Sequence, residues 1–164
     1  MFELQPLRSG LEAAVFLFEQ ENRSYFARSI TDRGDAYFED FAEHHRELMA
    51  DQQSGFGAFY VIVDEHGAVV GRFNLYGIQN GAADVGYRVA ERISGRGVAT
   101  SGLRELCRIA RDDLGLRRLA ATVSDDNVAS SRVLVKSGFI PIGPADVGGS
   151  HGSAFELDLA GSDV

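Results

Sequence analysis

The segment best equipped for chemistry is Arg92-Ile93-Ser94-Gly95-Arg96-Gly97-Val98-Ala99-Thr100, where two glycines and two arginines stand just before an apolar-periodic stretch. A helix that opens there leaves its first amides without intrahelical partners, and such an end attracts anions. Gly95 and Gly97 permit positive φ and close approach of the backbone to a pyrophosphate, while Arg92 and Arg96 add positive charge. A glycine-rich loop that merely turns the chain has the same composition. Two familiar phosphate motifs fit less well. A nucleotide-triphosphatase loop needs Lys before Ser or Thr at the helix start, and here Ala99 precedes Thr100. The dinucleotide fingerprint needs a third glycine close behind a strand, whereas Gly95-Arg96-Gly97-Val98-Ala99-Thr100 lacks it and begins several polar residues beyond Val89.

The elements around this loop follow from hydrophobic period. Phe2 to Leu7 alternates until Pro6, as an edge strand does. Leu11 to Phe26 predicts a helix bearing Ala14, Leu17, Phe18 and Tyr25, and Tyr37, Phe38, Phe41, Ala42, His45, Leu48 and Met49 share one face of a second. Gly57 to Asp64, Ala68 to Tyr76 and Ala83 to Val89 then predict three antiparallel strands, the last two closed by the type I′ turn that Asn80-Gly81 favours. A helix with Ala99, Leu103, Leu106, Cys107, Ala110 and Leu114 on one face stops at Gly115. It supplies the crossover that lets Arg117 to Val123 run parallel to Ala83 to Val89, giving a β-α-β unit. A further helix spans about Asn127 to Ser137, capped by Asp125, Asp126 or Asn127, before strands at Phe139 to Ile142 and Ala154 to Leu159. Gly143 to Ser153 reads as a mobile glycine-rich loop and Gly161 to Val164 as a frayed tail.

Composition limits the classes of function. A chain of 164 residues, 45% hydrophobic and 24% charged, suits a single globular domain over 1–164 and excludes disorder and coiled coil. Sixteen Lys+Arg against 24 Asp+Glu leave a net charge of −8, the wrong sign for gripping a phosphate backbone, so no direct nucleic-acid partner is expected. The acidic balance favours cationic partners such as protonated amines and equally serves plain solubility. The single Cys107 cannot form an internal disulfide and reads as a core residue. His44, His45 and His66 read as helix-surface and turn residues that no metal-ligand spacing joins, so no metal is expected. Met1 to Pro6 has no basic leader region and no apolar run approaches the ~20 residues that span a bilayer, so the expected location is cytoplasmic, away from membranes.

Three motifs follow one another: Ala83-Asp84-Val85-Gly86-Tyr87-Arg88-Val89, then Arg92-x-x-Gly95-x-Gly97-Val98-Ala99-Thr100, then Asn127-x-x-Ser130-x-Arg132-Val133-Leu134-x-Lys136-Ser137-Gly138-Phe139. In order and spacing they resemble the GNAT superfamily of acetyl-CoA-dependent N-acetyltransferases. More narrowly, the acidic-apolar-Gly-Tyr strand, the Asn-x-x-Ser helix start and the early Asn22-Arg23 are similar to the ribosomal-protein-alanine N-acetyltransferases. The resemblance implies an α+β fold, a mixed, mostly antiparallel V-shaped sheet flanked by helices around a central β-α-β cofactor-binding unit. Two parallel strands, here Ala83 to Val89 and Arg117 to Val123, splay to admit acetyl-CoA. Helices at about 11–50 would face the acceptor and about 83–139 would form the cofactor-binding core.

By the same resemblance, the segment Arg92 to Thr100, with Ser94, Gly95, Arg96, Gly97 and Ala99, holds the pyrophosphate, and the backbone of Tyr87, Arg88 and Val89 pairs with the pantetheine arm. Asn127 meets that arm or is a plain helix cap. The implied reaction is direct attack of a neutral amine on the thioester, with a backbone amide near Val89 facing the oxyanion and no covalent enzyme intermediate. Asp84 stands where the subfamily often has Glu and is the candidate base, or else a solvated strand residue. Tyr87 is a candidate proton relay, or else a packing aromatic. Many family members place Tyr after the Asn helix start to protonate the thiolate; Leu134 stands there instead, which leaves Ser130 or a water for that role, unless Ser130 is only a first-turn helix residue. Asn22, Arg23, Tyr25 and His151 are candidate substrate contacts, beside Phe26, Tyr37 and Phe41; packing onto the sheet is the other use for the aromatics, and exposure the other state of a loop histidine.

An α-amine of pKa about 7.7–8.0 is roughly 10% neutral at pH 7 and a lysine near 10.4 less than about 0.1%, so the absence of an evident strong base favours a protein or peptide N-terminus as acceptor. A small amine is the alternative, and an acyl-CoA-binding sensor without turnover a further one; a nicotinamide oxidoreductase is remote. Among resembling proteins a homodimer is common.

Overall fold

The computed structural model describes residues 2–160. The strands are β1 (Gln5–Pro6), β2 (Ala58–Val63), β3 (Val69–Gln79), β4 (Ala82–Val89), β5 (Arg118–Ser124), β6 (Ile140–Val147) and β7 (Ser150–Asp158). They form one seven-stranded sheet in the order β1-β2-β3-β4-β5-β7-β6. Every neighbouring pair is antiparallel except β4–β5. That parallel pair matches only Ala82 with Arg118, Ala83 with Leu119 and Asp84 with Ala120. Both strands continue for several residues beyond, no longer paired with each other, so the sheet opens there into the V that the motifs imply. The expected Asn80-Gly81 turn is present, with both residues at positive φ.

Helices cover both faces. On one lie α1 (Glu12–Glu21), α2 (Arg23–Phe26), α3 (Asp35–Glu39) and α4 (Phe41–Ser54); on the other lie α5 (Val98–Arg108), which a π turn extends over Ile109–Asp113, and α6 (Val128–Lys136). Alternate residues of a strand face opposite ways. Phe73 of β3 therefore points at α5, where a Cβ on Gly102 would lie 2.3 Å from its ring. Gly102 is what lets the crossover helix come that close. Arg72, one residue earlier, points at α1.

Three local expectations change. The helix expected over Leu11 to Phe26 breaks at Asn22, whose Nδ2 donates to the Phe18 carbonyl and whose Oδ1 accepts from the Glu91 amide at 3.0 Å. The side chain leaves helical register to tie α1 to the loop after β4. The loop expected over Gly143 to Ser153 is instead the β6–β7 hairpin, turning at Gly148-Gly149, both at positive φ. Gly143 shifts the register, which hides the alternation in the sequence. His45 is buried rather than on the helix surface, with Nε2 3.2 Å from the Arg8 carbonyl. The tail expected at Gly161 to Val164 lies outside the described residues. Among the described residues, no helix is long and apolar enough to cross a membrane.

The most unusual buried group is Glu19 of α1, whose side chain is 1% exposed. Its Oε1 accepts from Arg33 Nε at 2.9 Å and Arg88 Nη1 at 3.3 Å, and its Oε2 from Arg33 Nη2 at 3.1 Å and Arg72 Nη1 at 2.7 Å. Burial pushes the carboxyl up, but the hydrogen bond and charge of Arg33, with the charges of Arg72 and Arg88, outweigh it and hold its pKa below the ordinary value. Glu19→Gln should destabilise the fold by about 3–5 kcal/mol in urea denaturation, because it strands three cations around a neutral amide. Since the folded pKa is the lower one, this contribution is present above the unfolded carboxylate pKa and is lost as pH falls through the folded value.

Candidate active site

Where β4 and β5 part, the backbone of β4 has hydrogen-bonding groups to spare. The Ala90 amide donates to the Val70 carbonyl at 2.9 Å, and the β3–β4 register is unbroken from Gly71–Val89 to Tyr76–Asp84. Antiparallel pairing alternates, so Arg88 and Gly86 direct their N–H and C=O toward β3, and Tyr87 and Val89 direct theirs into the gap, while the Val85 amide still meets β5 beside the Asp84–Ala120 pair. An extended ligand with amide groups can pair with Tyr87 and Val89 as a missing strand would. A cavity of about 600 Å³ occupies the gap. It passes through the sheet, with Tyr87, Asn127, Ser130 and Leu134 on the α6 face and Arg72, Asn74, Tyr76 and Arg88 on the α1 face. Residues 27–31 after α2 and the turn of the β6–β7 hairpin line it as well, and a Cβ on Gly148 would lie 2.7 Å from Thr31 Oγ1.

On the α6 face the structure joins two candidates from different motifs. The Tyr87 hydroxyl lies 2.8 Å from Ser130 Oγ and donates to the Ser130 carbonyl at 3.2 Å, while its ring stacks on Phe73. Burial pushes the phenol pKa up to about 12, against the smaller lowering by Ser130, so at neutral pH Tyr87 is a proton donor and not a base. Asn127 Oδ1 accepts from the Ser130 amide at 3.2 Å, which makes Asn127 the cap of α6. Leu134, one turn further along the helix, is fully buried and lines the cavity with no proton to give.

The glycine loop takes the conformation its residues allow. Gly95 and Gly97 both sit at φ +76°, and α5 begins directly after Gly97 with no side chain capping it. The amides of Val98, Ala99 and Thr100 thus head the helix without preceding carbonyls in reach. Ser94 Oγ donates to the Glu91 carbonyl, and Arg96 is exposed. Arg92 differs from the expectation. It lies 2.7 Å from Asp64 Oδ2, and its hydrogen bond, with backbone amides at the same turn, lowers the Asp64 pKa to about 2. Part of its charge is committed to bracing the β2–β3 turn. Arg88 likewise spends its side chain on Glu19 and its backbone on β3.

Other candidates are not brought to the cavity. Asp84 is exposed, beside the last β4–β5 pair, and is not part of the lining. Asn22 braces the loop after β4, Arg23 pairs with Asp32 and Asp35 under the ring of Phe38, and Tyr25 packs on Phe26. His151 is exposed with Nδ1 2.7 Å from Asp125. Residues that sequence reasoning passed over do line the cavity: Arg33, Arg72, Asn74 and Tyr76. Asn74 is buried and donates to the Tyr76 hydroxyl at 2.9 Å. The available signal was two polar residues, Arg72 and Asn74, at alternate positions of an otherwise apolar strand.

Residues 2–140 match the family model described as acetyltransferase (GNAT) domain. The probable N-acetyltransferase YjcK of Bacillus subtilis is 31% identical over 130 residues, 74% of this chain and 70% of that protein. Among solved structures, the ribosomal-protein-S5-alanine acetyltransferase from Vibrio fischeri superposes with a TM-score of 0.89 at 19% identity, covering 99% of this chain and 94% of that one. RimJ of Mycobacterium smegmatis, solved in complex with CoA-disulfide, does so at 0.85 and 22%, covering 98% and 83%. A variant of spermidine N-acetyltransferase from Vibrio cholerae reaches 0.76 at 16%, covering 96% and 95%. At these identities the structural matches establish the fold. Independently of any ligand, a difference titration of the protein against Tyr87→Phe should place the missing phenol's ionisation near 12, and a midpoint near the ordinary value of about 10 would contradict the burial assigned to Tyr87.

Proposed function

Because the chain belongs to the acetyltransferase (GNAT) family, we propose that this N-acetyltransferase moves the acetyl group of acetyl-CoA by direct transfer to the N-terminal α-amine of a protein or peptide, with a ribosomal protein as one such acceptor. The observation that carries the reading is the gap itself: past the last β4–β5 pair, the backbone of Tyr87 and Val89 has no partner strand, beside a cavity that opens on both sides of the sheet. The residues present fit the cosubstrate. The pantetheine arm carries amides that these strand groups can pair with, and the uncapped start of α5 suits a pyrophosphate.

When bound, acetyl-CoA supplies a thioester open to attack. The chain's own residues do the rest. An amide near Val89 donates to the oxyanion as it develops. The Tyr87–Ser130 pair holds a proton on the α6 face, where the departing thiolate needs one, and so replaces the tyrosine that Leu134 displaces. A thiol with a pKa of about 8.5 is a tolerable leaving group, so one weak donor is enough. On the acceptor side no carboxylate is assigned as base, since Asp84 stands outside the cavity. An α-amine needs none stronger than water, being several hundredfold richer than lysine in its neutral form at pH 7. A small amine is the second reading, favoured by the close approach of Thr31 to the hairpin turn over the cavity.

The test is CoA-thiol release from acetyl-CoA with free-N-terminus peptides, the same peptides N-blocked but bearing lysine, and small amines. Release with the free N-termini alone is expected; release with lysine or small amines alone would contradict the proposal. The kcat/KM of the preferred peptide should rise with pH through about 7.7–8.0 as the amine loses its proton and then level off. No decline should appear near pH 10, because the Tyr87 donor keeps its proton until about 12. Gly97→Ala should weaken CoA binding, because a left-handed alanine costs roughly 1–2 kcal/mol and the loop relaxes away from the geometry that presents its amides.

A further inference from the structure

The arginines around Glu19 do more than neutralise it. Three cations meet one carboxylate, and each oxygen of that carboxylate already accepts two hydrogen bonds. Arg33 takes the bidentate position, while Arg72 and Arg88 each reach Glu19 through Nη1 alone. Three cations and one anion leave the cluster a net charge of +2. Glu19, 2.7 Å away, holds the Arg72 pKa above its ordinary value despite burial, so the less compensated side chain is Arg88, 14% exposed and 3.3 Å from Glu19. Burying uncompensated charge is costly, and a structural clasp on Glu19 needs one cation rather than three. Burial and the repulsion of Arg33 both press on Arg88, and the pull of Glu19 does not restore its ordinary pKa. This surplus stands in a chain whose net charge is −8, so it is a local arrangement against the general field.

Its position indicates what it is for. Arg72 and Arg88 are partners across β3 and β4 on the α1 face, and both line the cavity. Arg88 lies between Tyr87 and Val89, whose backbone groups open into the gap, so the side chain that carries this charge leaves β4 at the level of those groups and on the α1 face. The face that carries it is opposite to that of Tyr87 and Ser130.

Resting on the acetyl transfer proposed above, we infer that the acceptor is an acidic amine, with an anionic group close to its amino group that Arg72 and Arg88 receive across the α1 face of the cavity. The anion is the side chain of Asp or Glu next to a peptide's N-terminus, or the carboxylate of an amino acid; the recognition chemistry is the same. A polyamine meets like charge there and is disfavoured.

The experiment compares kcat/KM at saturating acetyl-CoA for free-N-terminus peptides identical except for Asp, Ala or Lys at the second residue, with free aspartate and spermidine as further acceptors. The Asp peptide or free aspartate should exceed the Ala peptide at least tenfold, mainly through KM, with the Lys peptide and spermidine poorer still. Preference for the Asp peptide over free aspartate assigns the anion to a side chain, and the reverse assigns it to an amino acid; either supports the inference. In R88Q the acidic-over-neutral ratio should collapse toward one, and R88K should restore part of it, which a purely structural role for Arg88 would not do. Arg33 and Arg72 still hold Glu19 in both variants, which keeps the fold testable. Equal use of the Asp and Ala peptides would overturn the inference and leave α-amine transfer standing. Failure of every free amine in the panel would overturn both.

Discussion

A parallel strand pair that stops early is the constraint from which the rest of the molecule follows. β4 and β5 agree in register at Ala82, Ala83 and Asp84 and then part, although each runs on for several residues. Interior backbone groups that lose a partner strand must find another partner, because leaving them dry and unpaired costs as much as a lost hydrogen bond. A ligand with its own amides, as proposed above, would meet this need in the opening. Parallel pairing also requires a crossover, and α5 is that crossover, so the chain that leaves β4 goes on to open a helix whose first amides have no partners. Gly102 then lets α5 press onto Phe73, and Phe73 in turn stacks on Tyr87, which links the crossover to the site.

The two faces of the opening differ electrostatically. On the α6 face the polar groups are neutral: a phenol that burial keeps protonated, a serine hydroxyl and a capping amide. On the α1 face charged groups stand beside the neutral Asn74–Tyr76 pair, with Glu19 saturated by arginines that outnumber it. A reaction in which an amine enters from one side and a thiolate leaves on the other suits this division. Proton donation is needed where the thiolate forms, and charge recognition serves where a charged acceptor is sorted from its competitors. The family of this chain is an acetyltransferase family, and under the transfer proposed above the asymmetry would give the two substrates separate entrances.

Much of the scaffold was legible in the sequence because it rests on period and turn chemistry. The Asn80-Gly81 hairpin, the crossover ending at Gly115 and the parallel placement of β5 beside β4 read directly from local pattern, and the cap of α6 fell among Asp125, Asp126 and Asn127, of which the structure uses Asn127. The failures have a common cause: a side chain used at long range. Asn22 looked like part of a helix and a substrate contact, yet it bonds to Glu91, 69 residues away. Arg92 looked free for an anion, yet Asp64 holds it across 28 residues. Glu19 and Arg72 look like ordinary surface charges in one dimension, since nothing local reveals that they meet inside. The β6–β7 hairpin was hidden differently, by glycines and prolines that mimic loop composition while Gly143 absorbs the register shift.

Acetyl-CoA seated on the open edge of β4 would change residue-resolved amide hydrogen exchange there, measured with and without CoA. Gly86 and Arg88 should be protected in both states, because their amides already bond to β3. At the Tyr87 and Val89 amides protection should rise on adding CoA, together with the amides at the start of α5, while Val85, paired with β5, should change little. Protection confined to other surfaces, with these strand amides unchanged at saturating CoA, would contradict the account.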